Sequence, residues 1–182
     1  SQFFVTGTDT EVGKTFVSSA LLHYFGKQGL STNAMKPIAS GCELSEGQLK
    51  NSDALSLMRY STEALPYEVV NPFAFEPAIA PHIAAQQAAI KLSVSELISS
   101  SESYLSHSAD IQLIEGAGGW LVPLNEKESY ADYVQAMGLP VVLVVSIRLG
   151  CINHALLTFQ AIQAMGLNVL AWVANMVDFE SD

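Results

Sequence analysis

The chain has 182 residues, 49% of them hydrophobic and 14% charged, with 18 acids against 8 bases for a formal charge of −10. That size suits one domain with a real core, and that composition excludes a disordered chain. The acidic balance excludes non-specific nucleic-acid binding and an anionic membrane surface, which need Lys and Arg, but leaves room for a nucleotide held by local backbone potential.

The first predicted strand, Phe3–Thr6, runs into Gly7, and Gly13-Lys14-Thr15 opens a helix predicted over Thr15 to Phe25. Val17, Leu21, Leu22 and Phe25 recur there at helical spacing. A strand, a glycine turn and a helix opening with Gly-Lys-Thr form the grammar of a phosphate-binding loop. Its backbone N–H groups surround an anion, the lysine reaches the outer phosphates, and the hydroxyl holds magnesium. Lys14 would neutralise the β- and γ-phosphates and Thr15 would offer its hydroxyl to Mg²⁺. The usual spacing has about four residues between the glycines, whereas Gly7 to Gly13 encloses five. The insert carries Asp9 and Glu11, two acids beside a polyphosphate site, so something cationic is expected there as well.

A second strand, Asn33–Met35, ends at Lys36-Pro37-Ile38-Ala39-Ser40-Gly41. Lys36 reads either as a solvated lysine or as an ammonium in the crevice, stabilising charge on a transferring group or an anionic acceptor, with Ser40 beside it. Asn51-Ser52-Asp53 then precedes an apolar helix starting at Ala54. It reads as an N-cap or as a place for Asp53 to serve as a carboxylate on Mg²⁺. The stretch Asn71 to Pro81, with three prolines, is expected to be an irregular surface segment, and Ser93 to Leu105 a helix.

The strand Ile111–Ile114 ends at Glu115-Gly116-Ala117-Gly118-Gly119, where Glu115 occupies the place of a metal-holding acid. A helix over Tyr130 to Met137, a strand over Val141–Val145, a helix over Asn153 to Met165 and a strand over Val169–Val173 complete the pattern. The last three strands are almost continuously apolar, as central strands covered on both faces would be. Alternating strands and helices predict an α/β fold, an open, mostly parallel sheet with helices on both faces, P-loop NTPase-like. Residues 1–182 read as a single P-loop domain, and because such a domain would continue with another helix and strand, a C-terminal segment is expected to be lacking.

In open parallel sheets ligands collect at the C-terminal strand ends. Gly7 to Thr15, Lys36 to Gly41, Glu115 to Gly119, Arg148 to Cys151 and Asn175 all fall there. Gly150-Cys151-Ile152-Asn153 opens a helix whose free amides make a second anion site suited to a carboxylate, or simply an ordinary cap. Cys42 and Cys151 make no disulfide framework and fit a reduced, cytoplasmic protein. No leader pattern precedes the first strand, and Leu139 to Ile147 is too short to span a bilayer, so neither secretion nor a membrane is expected. His23, His82, His107 and His154 show no metal-ligand spacing.

Taken together, Thr6 to Thr15, Lys36 to Gly41, Asn51-Ser52-Asp53, Glu115 to Trp120 and Leu149 to Ala155 resemble the ATP-dependent dethiobiotin synthetases. The likeness runs from residue 3 to about 175, and the wide spacing from Gly7 to Gly13 is typical of that family. The resemblance implies a homodimeric, Mg²⁺-dependent, cytoplasmic ligase of biotin synthesis. It would join CO₂ to 7,8-diaminononanoate with cleavage of ATP, through a carbamate and a carbamic-phosphoric mixed anhydride, to a cyclic urea.

Carried over residue by residue, the resemblance implies catalysis by Lys36, Lys14 and Glu11. ATP would be bound by Glu11, Val12, Gly13, Lys14, Thr15, Phe16, Asp53, Glu115, Gly116, Ala117, Gly118 and Asn175, and Mg²⁺ by Thr15, Asp53 and Glu115. The diamine would meet Thr10, Lys36, Ser40, Gly150, Cys151 and Asn153, the last three contributed by the partner subunit. Glu11 or Asp9 would offset an ammonium of the diamine, which accounts for acids beside a phosphate loop. Met176 departs from the family's usual aspartate.

Three rivals remain. A cobyrinic-acid-type amide synthetase would need an ammonia source for which no domain or cysteine motif is visible. A partition or septum-site ATP switch would carry a second lysine early in the loop, where Thr8, Asp9 and Thr10 stand. A relative that has lost catalysis would not be expected to retain Lys14, Thr15, Lys36, Asp53 and Glu115.

Overall fold

Five parallel strands form the central sheet of the computed structural model, which describes residues 1–176. The first half of the chain forms β1 (Gln2–Gly7), α1 (Lys14–Lys27), β2 (Thr32–Met35), β3 (Ile38–Ser40), β4 (Glu43–Ser45), β5 (Gln48–Lys50), α2 (Ser52–Tyr60) and α3 (Tyr67–Val70). The second forms β6 (Phe73–Phe75), α4 (Pro81–Gln87), α5 (Val94–Leu105), β7 (Ile111–Glu115), α6 (Tyr130–Met137), β8 (Val141–Ser146), α7 (Cys151–Ala164) and β9 (Val169–Asn175). The sheet order is β2-β7-β1-β8-β9 with every pairing parallel.

The order follows from the side chains. β1, β7 and β8 are apolar and buried along almost their whole length, so each takes an interior position with both faces covered. Alternate residues of one strand feed opposite cores. Phe4 joins Met35, Ile114 and Tyr130 on one face, while Phe3 and Val5 join Val17, Leu22 and Val144 on the other. The Phe4 ring lies 5.5 Å from that of Tyr130. Just past β7 the backbone runs so close to Phe4 that a Cβ at Gly116 would stand 2.7 Å from the ring. Glycine there lets the chain leave Glu115 and turn into the Ala117 loop.

Among the described residues β9 pairs only with β8 and leaves Leu170 and Trp172 exposed. Two expectations need correction. The segment from Asn71 to Pro81 is not simply irregular surface. Phe73–Phe75 pairs in parallel with Ile38–Ser40, burying Phe75 and Asn71, and Pro81 starts α4 at a position where its missing N–H costs nothing. The third helix of the expected set begins one residue late because Ser93 is its N-cap, with Oγ accepting from the Glu96 N–H. No helix among the described residues is long and apolar enough to cross a membrane.

Candidate active site

β1 lies between β7 and β8, so the loop after it emerges at the middle of the sheet's C-terminal edge. Three backbone features shape it. A Cβ at Gly7 would stand 2.5 Å from Val12 Cγ2 and 3.0 Å from the Asp9 carbonyl oxygen, so the loop folds back over a residue that must be glycine. Gly13 takes a left-handed φ of 86° as it caps α1. Glu11 also has positive φ, 58°, which is uncommon for a residue with a side chain. The first turn of α1 carries no acid of its own, and its positive end opens onto the cleft.

The two lysines of the site are both buried. Lys14 donates to the Asp9 carbonyl at 3.0 Å. Its burial, helped by the charge of Lys36, depresses the ammonium to about 8. Lys36 is 4% exposed, which removes the reading of a solvated lysine. Its Nζ donates to Glu115 Oε1 at 2.7 Å and lies 3.0 Å from Asp53 Oδ2. Burial works against the Lys36 charge, but Glu115 and Asp53 more than offset it and hold its pKa above the ordinary lysine value.

Glu115, at the end of β7, has no exposed surface. Its Oε1 accepts from Thr15 Oγ1 at 2.7 Å as well as from Lys36, while Oε2 is buried without a hydrogen-bond partner. Asn51 is the N-cap of α2, its Oδ1 accepting from the Asp53 and Ala54 N–H groups. Capping thus falls to Asn51, and the Asp53 carboxylate is left to reach the Lys36 ammonium. Among the described residues no group of three or more His, Cys, Asp and Glu is placed to hold a metal. Two carboxylates, one with an orphaned buried oxygen, and a hydroxyl nevertheless suit Mg²⁺, which takes phosphate oxygens and water for its remaining positions.

The two lysines, Thr15, Asn51 and Asp53 line one cleft of about 800 Å³. Thr10, Glu11, Gly13, Lys14, Thr15 and Phe16 form one wall, Lys36, Ser40 and Asp53 another, and Ala117 and Gly118 a third. Val12 is buried beneath the loop, and its carbonyl accepts from Asn175 Nδ2 at 2.9 Å, tying the end of β9 to the loop. Ser40 Oγ is buried and unpartnered beside the cleft.

Gly150, Cys151 and Asn153 do not line this cleft within the chain. Cys151 lines an apolar groove of about 420 Å³ between α7 and the β8–β9 edge, next to Ile152, Leu156 and Trp172. The expectation of free amides there holds only in part, because the Cys151 N–H donates to the Arg148 carbonyl at 3.0 Å.

A buried relay behind Lys36 was not visible in the sequence. Asn71 Nδ2 donates to the Lys36 carbonyl at 2.7 Å, Tyr67 Oη donates to Asn71 Oδ1 at 2.9 Å, and the Asn51 N–H donates to Tyr67 Oη at 2.7 Å. It fixes the main chain at both Lys36 and the Asn51 cap. The Asn71-Pro72 step was its one sequence signal, since a polar residue held before proline in an otherwise apolar stretch needs a partner.

A family model described as an AAA domain matches residues 1–181. The ATP-dependent dethiobiotin synthetase BioD of Pseudomonas paraeruginosa is 56% identical over 176 residues, 97% of this chain and 77% of that protein. The protein of the same description from Marinobacter nauticus is 54% identical over 173 residues, 95% of this chain and 74% of the relative. Among solved structures, the kinase domain of the Escherichia coli tyrosine kinase ETK superposes over 100% of this chain and 69% of its own, with a TM-score of 0.56. At 14% identity that likeness concerns the fold alone.

Proposed function

The chain belongs to the family of ATP-dependent dethiobiotin synthetases, and on that premise we propose how its own residues carry out ATP-driven ring closure. The substrates in this reading are 7,8-diaminononanoate, CO₂ and MgATP. One amine captures CO₂ as a carbamate, whose oxygen attacks the γ-phosphorus as the bond to ADP breaks. The second amine then attacks the mixed anhydride carbon, phosphate leaves, and the cyclic urea closes with loss of protons to solvent. The observation that carries the proposal is the pair of buried lysines, Lys14 and Lys36, converging on one cleft with Thr15 and Asp53, while the buried Glu115 bonds to Thr15 and Lys36.

Each residue has a task that follows from its position. Gly13, Lys14, Thr15 and Phe16 at the start of α1 receive the phosphates, with Glu11, Ala117 and Gly118 lining the cleft around them and Val12 and Gly116 adjoining these in the chain. Lys14 and Lys36 stabilise the negative charge that builds on the γ-phosphoryl and the carbamate. Thr15, Asp53 and Glu115 would hold Mg²⁺, which would neutralise charge on the phosphate oxygens. Thr10, Ser40 and Glu11 orient the diamine, and Asn175, whose amide donates to the Val12 carbonyl, would meet the base. Most of the rate advantage comes from bringing two amines, CO₂ and ATP into one geometry.

The same reading makes the enzyme a homodimer in which Gly150, Cys151 and Asn153 of the partner's α7 complete the diamine site. The exposed apolar surface of α7, with Ile152 74% and Leu156 56% accessible, supports such a contact. Phosphate release from MgATP with bicarbonate, with and without the diamine, tests the whole reading. Diamine-dependent release with one labelled CO₂ fixed per phosphate is expected. Diamine-independent hydrolysis would instead favour an ATP switch or a different ligase.

A further inference from the structure

We propose that Lys36 and a divalent cation compete for the Asp53 and Glu115 carboxylates, so that metal binding releases the Lys36 ammonium into the cleft. This rests on the reading of Thr15, Asp53 and Glu115 as the Mg²⁺ site. The main chain of Lys36 is fixed, its N–H donating to the Val70 carbonyl at 2.8 Å and its carbonyl accepting from Asn71 at 2.7 Å. The part free to move is the side chain. Its ammonium sits on Glu115 Oε1 at 2.7 Å and Asp53 Oδ2 at 3.0 Å, bridging the two acids as a counter-ion would.

Mg²⁺ lies about 2.1 Å from its oxygen ligands, so on these same oxygens it would come within about 5 Å of Nζ. At that separation, in a site where Lys36 is 4% and Glu115 0% exposed, a doubly charged neighbour repels the ammonium strongly. Asp53 and Glu115 cannot neutralise both cations, and the side chain has a way out into the cleft that also holds Lys14 and Ser40. Lys36 would therefore reach the reacting groups only once the metal is seated. Glu115 offers the one alternative, since its orphaned Oε2 would let it take a metal while Oε1 keeps the lysine.

Mn²⁺ binding to the nucleotide-free protein, followed by electron paramagnetic resonance, separates these cases. Lys36→Met should bind Mn²⁺ roughly tenfold tighter than the unaltered chain, because one full charge is removed from a buried site. Lys36→Arg should bind as the unaltered chain does, and Asp53→Asn more weakly. Weaker binding by Asp53→Asn with no gain in Lys36→Met would overturn the competition and leave the metal reading standing. No change in Asp53→Asn would overturn both.

A second readout needs no variant of the lysine beyond its assignment. In ¹⁵N-lysine-labelled protein the buried Lys36 ammonium gives a slowly exchanging signal, assigned by its loss in Lys36→Arg. That signal should shift and broaden as Mg²⁺ is added, and a signal indifferent to Mg²⁺ at saturating metal would refute the proposal.

Discussion

The Arg148 guanidinium stands 2.7 Å from an Asp9 carboxylate oxygen, so the loop after β8 is tied to the wide phosphate loop after β1. The other Asp9 oxygen accepts from the Thr10 N–H at 2.8 Å. Asp9 thus has its cation within the chain. Glu11 lines the cleft, and among the described residues it has no ion-pair partner. If the proposed reading holds, Glu11 rather than Asp9 is the acid expected to meet an ammonium of the diamine. Glu11→Asn, which tolerates the left-handed backbone, should raise KM for the diamine. A charged hydrogen bond is worth about 1.5–3 kcal/mol, or roughly 10- to 100-fold. Affinity for ATP, measured by calorimetry without diamine, should change little.

The Asp9–Arg148 pair itself should contribute little to stability. Both side chains are about half exposed, 51% and 54%, and such pairs are worth at most about 1 kcal/mol. Arg148→Ala should therefore move the urea midpoint only slightly, and less in high salt. The Thr10 N–H, with Arg148, holds the Asp9 carboxyl below its ordinary value despite some burial. A depressed carboxyl contributes stability above its unfolded pKa, about 3.9, and loses it as pH falls through the lower folded value. The difference between Arg148→Ala and the unaltered chain should accordingly vanish in acid.

Gly7→Ala tests whether the loop's shape depends on close backbone approach. The added methyl would meet Val12 Cγ2 at 2.5 Å and the Asp9 carbonyl at 3.0 Å. Val12 is 1% exposed and has nowhere to move, so the loop must open. Loss of measurable ATP binding is expected, together with a destabilisation of about 1–3 kcal/mol in chemical unfolding. Retained ATP affinity would show that the loop re-forms around the methyl.

The site's strand ends were legible in the sequence because a parallel sheet gathers the loops that follow its apolar strands at one edge. Lys14, Thr15, Lys36 and Glu115 follow from that rule before any coordinate is known, Asp53 was read from a helix start instead, and the cleft and its ion pairs and hydrogen bonds unite them. The Tyr67–Asn71 relay was hidden because, although those two are four residues apart, the groups they meet at Asn51 and Lys36 lie 16 and 35 residues away. Arg148 was noted only as a strand end, and its role depends on a side-chain direction that spacing does not encode.

Lys14 makes ATP binding sensitive to mildly alkaline pH. Its folded pKa, about 8, lies below the ordinary lysine value of 10.5, chiefly through burial and secondly through Lys36. Between those two values the unfolded chain holds the proton that the folded one has lost. The folded state therefore gains stability as pH rises across that window, and below about 8 it bears the cost of a buried ammonium. A bound triphosphate favours the charged form, so it raises the Lys14 pKa and draws in a proton at pH about 8.5. ATP affinity should fall as pH rises above about 8, and calorimetry in two buffers of different ionisation enthalpy should record net proton uptake. Lys14→Gln should bind ATP weakly without that uptake. Equal heats in both buffers for the unaltered chain would mean that Lys14 is already charged before ATP arrives.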